Sequence, residues 1–170
     1  MPNHIHMVAV PENARSLSLA FGRAYQRYAQ IINNRRDWRG HLWEQRFSSI
    51  PMDETYLLMA ARYFELNSVK ARIAESSFGY LWSSARAHLN NRDDELVGVM
   101  RLLEMVPDWL YFLAGRLPVS HANKLRDLEK SRYPAGNKQF LENLEIQYGI
   151  QCQPKKRGPK PKNVNYSTVE

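Results

Sequence analysis

Cysteine is nearly absent from this chain of 170 residues. The one cysteine, Cys152, lies near the C-terminus. A single cysteine excludes an internal disulfide bond and a zinc cluster built from several thiolates. A bound metal ion would therefore need ligands from His, Asn, Gln, Asp or Glu.

Long apolar runs are missing as well. No stretch approaches the roughly 20 apolar residues that span a bilayer. The N-terminus also lacks the basic segment followed by an apolar segment that marks a signal peptide. These two absences predict a cytoplasmic protein with no membrane partner.

Acidic residues are fewer than basic ones, since 17 Asp and Glu face 24 Lys and Arg and give a formal net charge of +7. A basic chain favours a polyanionic partner, either nucleic acid or an anionic membrane surface, and charge alone does not choose between them. Hydrophobic residues make up 44% of the sequence, which is enough for a buried core. We therefore expect one globular domain with a tail.

Apolar periodicity predicts the elements of the N-terminal half. Alternation over residues 1–10 is typical of a strand, and residues 14–34 have the spacing of an amphipathic helix. A second strand is expected over 43–49, and Asp53 is a good N-cap for a helix over 53–73.

The C-terminal half is predicted to be helical. A helix over 96–117 would be broken at Pro107, a charged helix would cover 121–130, and a last amphipathic helix would begin after Asn137. Lys, Arg, Pro and Gln dominate the sequence from 151 onward, which predicts a disordered basic tail over 151–170.

A pair of histidines stands near the N-terminus. On a strand, His4 and His6 would point to the same face and reach one cation, while Ile5 would face the core. Such a pair leaves a metal site open for a further ligand. The alternatives are a solvated terminal pair and a structural zinc site, for which no third strong zinc ligand is evident.

Tyr63 and Asn67 lie one helical turn apart, so that a phenol and an amide oxygen would stand side by side. The alternative is a core tyrosine beside a helix-interior asparagine. Asn67 is a poor residue inside a helix, and it shares a stripe with Tyr56 and Ala60. A polar group in that position needs a partner.

Four sequence blocks occur in the order found in a known family. They are MPNHIH at 1–6, GHLWEQRF at 40–47, RYFELNSVKA at 62–71 and YLWSS at 80–84. Together they resemble the REP-associated tyrosine transposases, which are single-tyrosine DNA transposases of the HUH superfamily. Two departures are Ser68, where relatives usually carry Pro, and Lys70, where they usually carry Arg.

The resemblance implies an α+β fold, in which a ferredoxin-like antiparallel sheet is packed on helices. Residues 1–90 would be the catalytic domain, 91–150 a helical C-terminal region and 151–170 the basic tail. Relatives carry a first strand and helix ahead of the MPNHIH block, and here its methionine is residue 1. On this resemblance the catalytic domain would be truncated, through a late start codon or a decayed gene.

The resemblance also implies the chemistry. His4, His6 and Asn67 would bind Mg²⁺ or Mn²⁺, and Tyr63 would attack a phosphate of single-stranded or hairpin DNA to form a 5′-phosphotyrosine link. Relatives act on repetitive extragenic palindromes. The competing interpretation is a DNA-binding remnant that no longer cleaves, and a homodimer is an open alternative to a monomer.

Basic side chains are the candidate DNA contacts. Arg23 and Arg27 share one helical face and Arg46 lies in the second block, so they would track a phosphate backbone, although a solvated face explains them equally well. The tail segment KKRGPKPK at 155–162 resembles an AT-hook with an altered core, for which nonspecific binding is the safer expectation. Its candidate contacts are Lys155, Lys156, Arg157 and Lys160.

Overall fold

The computed structural model describes residues 3–115 and 118–153. These residues contain eight α-helices. In chain order they are α1 (Ser16–Arg36), α2 (Glu54–Glu65), α3 (Asn67–Lys70), α4 (Ala85–Leu89), α5 (Met100–Met105), α6 (Trp109–Ala114), α7 (Val119–Ser131) and α8 (Lys138–Tyr148).

The ferredoxin-like sheet predicted from the resemblance is wrong for the described residues, which contain no β-strand. Their only strand-like pairing is an isolated parallel bridge between Met52 and Ala135. Residues 3–12 form no backbone hydrogen bond with another described residue. Ladder hydrogen bonds form between strands, so an alternating segment without an adjacent strand gains none of them. Ile5, expected in the core, is consequently 61% exposed.

The second predicted strand, over 43–49, is also wrong, because its aromatic residues pack on α1 instead. The rings of Trp43 and Tyr25 stack at 4.1 Å, and Phe47 lies 4.9 Å from Phe21. The Trp43 indole donates to the backbone carbonyl of Tyr25 at 3.1 Å. Although α1 forms as predicted, it contains no buried residue, and these contacts attach it to the segment that follows it.

Helix starts are predicted better than helix ends. Asp53 caps α2 through a 3.0 Å hydrogen bond from the Tyr56 amide, and Asn137 caps α8 in the same way. The helix expected over 53–73 stops at Glu65 and resumes only as the short α3. The helix expected over 96–117 becomes α5 and α6, because the backbone leaves the helical region at Val106, before Pro107.

Helix α2 lies between two small core clusters. On one side Ala60 and Tyr63 pack against Ala122 and Leu125 of α7. On the other side Ala61 packs against two buried residues of α6, Trp109 and Leu113. Because Ala60 and Ala61 occupy successive faces of one helix, these contacts hold α2 between α7 and α6.

A buried carboxylate joins α2 to the elements that follow it. Glu65 is 3% exposed and accepts hydrogen bonds from Ser84 Oγ at 2.6 Å and Trp109 Nε1 at 2.7 Å. His88 Nδ1 lies 2.7 Å from the same carboxylate, and its ring stacks on Trp109 at 4.6 Å. We call Glu65, Ser84, His88 and Trp109 the Glu65 network. It connects two blocks of the family resemblance, RYFELNSVKA and YLWSS.

Removing the carboxylate of the network should destabilise the whole fold. Glu65→Ala would leave the donors of Ser84, His88 and Trp109 buried without a partner, at a cost of about 3–5 kcal/mol in the free energy of unfolding. Glu54→Ala removes an exposed acid from the first turn of the same helix and should cost less than about 1 kcal/mol. Urea unfolding followed by circular dichroism measures both values. Equal losses of stability in the two variants would contradict this role for Glu65.

Candidate active site

The N-terminal segment brings one histidine, His6, against α2, the helix that carries Tyr63. The His6 ring stacks on Phe64 with 4.5 Å between centroids and 4° between planes. It also meets the Tyr63 ring edge-on at 6.2 Å. His4 is exposed, and its ring lies 4.7 Å from that of His6. The structure therefore brings together three of the predicted site residues, His4, His6 and Tyr63.

Tyr63 is mostly buried in the cluster between α2 and α7, with 7% of its surface exposed. Its hydroxyl forms no hydrogen bond with another described residue. The ammonium of Lys70 lies 5.1 Å from the centre of the Tyr63 ring, within cation–π distance. Lys70, one of the two positions where this chain departs from the pattern of the family it resembles, thus contacts the predicted nucleophile.

A carboxylate from α7 completes the surroundings of the histidines. Glu129 Oε1 lies 3.6 Å from His6 Nδ1. Glu129 was not predicted as a site residue, although its spacing from the apolar residues of α7 could have indicated it. Ala122, Leu125 and Glu129 share one face of α7, so docking the two apolar residues on α2 directs Glu129 toward the same side. We call His4, His6, Tyr63, Lys70 and Glu129 the His–Tyr cluster.

The charges in the His–Tyr cluster are set by burial and by neighbouring cations. Burial, with His4 nearby, lowers the pKa of His6 to about 4, so this imidazole is neutral at pH 7. Burial, with Arg126 and Arg62 nearby, also lowers the pKa of Lys70. Burial raises the pKa of Glu129, against the opposing effect of His4 and Arg126. Positive charge thus lies beside the tyrosine at Lys70, with Arg126 and Arg62 near that ammonium.

Two of the three ligands of the metal site implied by the resemblance, His4 and His6, lie together. His4 and His6 are close enough to share an ion, but no group of three His, Cys, Asp or Glu side chains in residues 3–115 and 118–153 has the arrangement of a metal site. Asn67 is partly buried as the first residue of α3, and it forms no side-chain hydrogen bond within the described chain. No structural zinc site built from three such side chains is therefore assembled in the described residues, and the role of Asn67 as third ligand stays a prediction.

The predicted DNA contacts are either exposed on α1 and the segment after it or lie outside the described residues. Arg23 and Arg27 are exposed on α1, and Arg46 is exposed in the segment after it. The tail contacts Lys155, Lys156, Arg157 and Lys160 fall outside the described ranges. The cation that contacts the Tyr63 ring is Lys70, and Arg126 and Arg62 lie near enough to Lys70 to help lower its pKa. None of the three was predicted from the sequence as a DNA contact.

Comparison with family models, with curated proteins and with solved structures finds no match to this chain. Within the described ranges no helix has both the length and the apolar character needed to cross a membrane. The resemblance to the REP-associated transposases thus rests on the four sequence blocks.

The geometry of the His–Tyr cluster limits the chemistry available to it. A phenol is a nucleophile when it is deprotonated, and a neighbouring ammonium favours the phenolate electrostatically. A neutral imidazole and a carboxylate are acceptors for a proton. The cluster therefore combines a nucleophile, a cation and two proton acceptors at the junction of α2 and α7.

Acid should weaken the fold through His6. In the unfolded chain this imidazole takes up a proton below pH 6.5, whereas the folded protein resists protonation until about pH 4. The unfolded state thus binds more protons in that window, and stability falls as the pH falls through it. In metal-free buffer, the free energy of unfolding should drop less between pH 7 and pH 4.5 in His6→Gln than in the wild type.

The matched control is His41→Gln, which changes an exposed imidazole. Glu129 is retained in all three proteins, so the difference in slope reports His6. A His6→Gln variant that loses stability as steeply as the wild type would show that His6 is not held neutral by burial.

Proposed function

We propose that this chain is a transposase-type DNA strand-cutting and strand-joining enzyme in which Tyr63 is the nucleophile. The observation that carries the proposal is the approach of the His6 ring to Tyr63, 6.2 Å between centroids, with Lys70 over the same tyrosine. These residues come from two separate blocks of the family resemblance. A core tyrosine without a function would not require a histidine pair and an ammonium beside it.

The proposed reaction exchanges one phosphoester bond for another. The Tyr63 oxygen attacks phosphorus, the bond from phosphorus to the 3′ oxygen breaks, and the leaving strand end becomes a 3′-hydroxyl that carries the proton released by the phenol. Because the tyrosine ester conserves the energy of the broken bond, a 3′-hydroxyl can reverse the step without ATP. The ammonium of Lys70 lies 5.1 Å from the centre of the attacking tyrosine's ring and supplies a positive charge beside the site of attack.

The substrate class follows from the charges and from the resemblance. A net charge of +7 favours a polyanion. The ammonium of Lys70 places a positive charge over the ring of Tyr63, near where a DNA phosphate must lie for attack. We propose single-stranded or hairpin DNA as the substrate, with Mg²⁺ or Mn²⁺ dependence expected from the resemblance alone.

The second candidate function is DNA binding without cleavage. Two observations favour it: no group of three His, Cys, Asp or Glu side chains among the described residues is arranged as a metal site, and residues 3–12 have no backbone partner there. A chain with the same cations would still bind DNA. The two functions differ in one product, the covalent protein–DNA adduct.

Removing the phenolic oxygen should abolish the adduct and leave binding intact. Because the Tyr63 hydroxyl makes no hydrogen bond with another described residue, Tyr63→Phe should change the free energy of unfolding by less than about 1 kcal/mol. Wild-type protein incubated with hairpin DNA and Mg²⁺ or Mn²⁺ should give a covalent band on denaturing gels. Tyr63→Phe should give none, while its affinity for the hairpin stays within about twofold.

The control is Tyr56→Phe, which removes a phenolic oxygen from the same helix and should keep the adduct. An adduct that persists in Tyr63→Phe would exclude Tyr63 as the nucleophile. Wild-type protein that binds hairpins tightly but forms no adduct with either ion would select the DNA-binding function.

The basic tail should contribute salt-dependent affinity. For single-stranded DNA, the slope of log affinity against log salt becomes shallower by about 0.7 for each phosphate that the protein no longer neutralises. Deleting residues 153–162 should therefore weaken binding. It should also make the slope shallower by about 0.7 for each phosphate that the tail neutralised. Changing Lys155, Lys156 and Arg157 to Gln should give part of the same effect. An unchanged slope after the deletion would show that the tail does not touch DNA.

A further inference from the structure

A cavity lies on the face of α2 that points away from α7. Its volume is about 590 Å³. The walls come from the end of α2, from the segment between α5 and α6, and from α6 itself. They include Arg62, Asp108, Tyr111, Phe112 and Gly115. A cavity of this size is within the usual range for small-molecule sites, about 300–1,000 Å³.

Arg62 is the unpaired cation of this cavity. Its Nε is buried and has no hydrogen-bond partner, and no carboxylate of the described residues lies within ion-pair distance. Its guanidinium lies 5.1 Å from the centre of the Phe112 ring. Burial lowers the pKa of Arg62, which reflects the cost of keeping a charge there without a counter-ion. An anion entering the cavity would offset that cost.

The remaining walls of the cavity favour a ligand that carries a flat, partly apolar group. Tyr111 is 79% exposed beside the cavity, so one aromatic ring is available for stacking while Phe112 is already covered by the guanidinium. The acid in the wall, Asp108, caps α6 by accepting a 2.8 Å hydrogen bond from the Tyr111 amide. Asp108 is thereby engaged with the helix and not with Arg62.

We propose that this cavity binds a nucleotide, with its phosphate paired to Arg62 and its base against Tyr111. A guanidinium recognises phosphate with several directed N–H donors, and an aromatic face stacks on any base. The site is separate from the His–Tyr cluster, because Arg62 and Tyr63 point to successive faces of α2. It therefore does not depend on covalent chemistry at Tyr63, and its ligand is either a free nucleotide or an unpaired nucleotide of a strand.

The test is calorimetric titration of the full chain with four probes: deoxyadenosine monophosphate, deoxyadenosine, inorganic phosphate and a four-nucleotide adenine strand. Deoxyadenosine and phosphate, which each lack one half of the ligand, should bind at least about tenfold more weakly than the monophosphate. Tighter binding of the strand than of the monophosphate identifies an unpaired nucleotide of DNA as the ligand. The reverse order identifies a free nucleotide.

Arg62→Gln should weaken binding of the monophosphate at least about tenfold. The matched control is Arg86→Gln, because Arg86 also lies over an aromatic ring, at 5.0 Å from Phe78, but does not line the cavity. Gly115→Ala is a second test that keeps the charge, since a Cβ there would collide with the Arg62 guanidinium and displace it. It should weaken binding as well.

Circular dichroism of each variant separates a loss of binding from a loss of folding. If Arg62→Gln fails to fold, Gly115→Ala decides the question. Absence of monophosphate binding to the wild type, or equal weakening in the Arg62 and Arg86 variants, would overturn the proposal. A folded Gly115→Ala variant that binds the monophosphate as tightly as the wild type would also overturn the proposal.

Discussion

The burial of one carboxylate constrains the rest of this structure. Glu65 can be buried only because Ser84, His88 and Trp109 surround it with donors. That requirement draws α4 and α6 against one side of α2. The opposite side is then left to α7 and to the N-terminal histidines, so the Glu65 network indirectly determines which residues can surround Tyr63.

Successive residues of α2 consequently face different surroundings. Tyr63 faces α7, His6 and Lys70, whereas Arg62 faces the cavity beside α6. Each of the two surroundings contains a cation and an acid: Lys70 and Glu129 lie near His6 and Tyr63, and Arg62 and Asp108 line the cavity. A polyanionic ligand crossing the end of α2 would meet the proposed nucleophile, Tyr63, on one face and the guanidinium proposed to bind phosphate, Arg62, on the next.

The features that the sequence predicts correctly are those that depend on local interactions. The predicted cap at Asp53 and the predicted start of the last helix after Asn137 are both confirmed, and each start is fixed by a hydrogen bond from the amide three residues away. The predicted sheet depended on strand neighbours, which residues 3–12 lack in the described chain, and the aromatic residues of the second segment pack on α1 instead. Glu129 escaped prediction because its approach to His6 requires α7 to dock on α2, a contact between distant parts of the chain. The roles of His4, His6, Tyr63 and Asn67 stay predictions from the resemblance.

The site of covalent attachment shows most directly whether Tyr63 is the nucleophile. Trypsin cuts after Arg62 and after Lys70, and the peptide 63–70 between them contains a single tyrosine. After incubation with hairpin DNA, nuclease treatment and digestion, mass spectrometry should find a nucleotide phosphate on Tyr63 of this peptide. An unmodified peptide 63–70, with the nucleotide attached to another tyrosine or to none, would contradict this role for Tyr63.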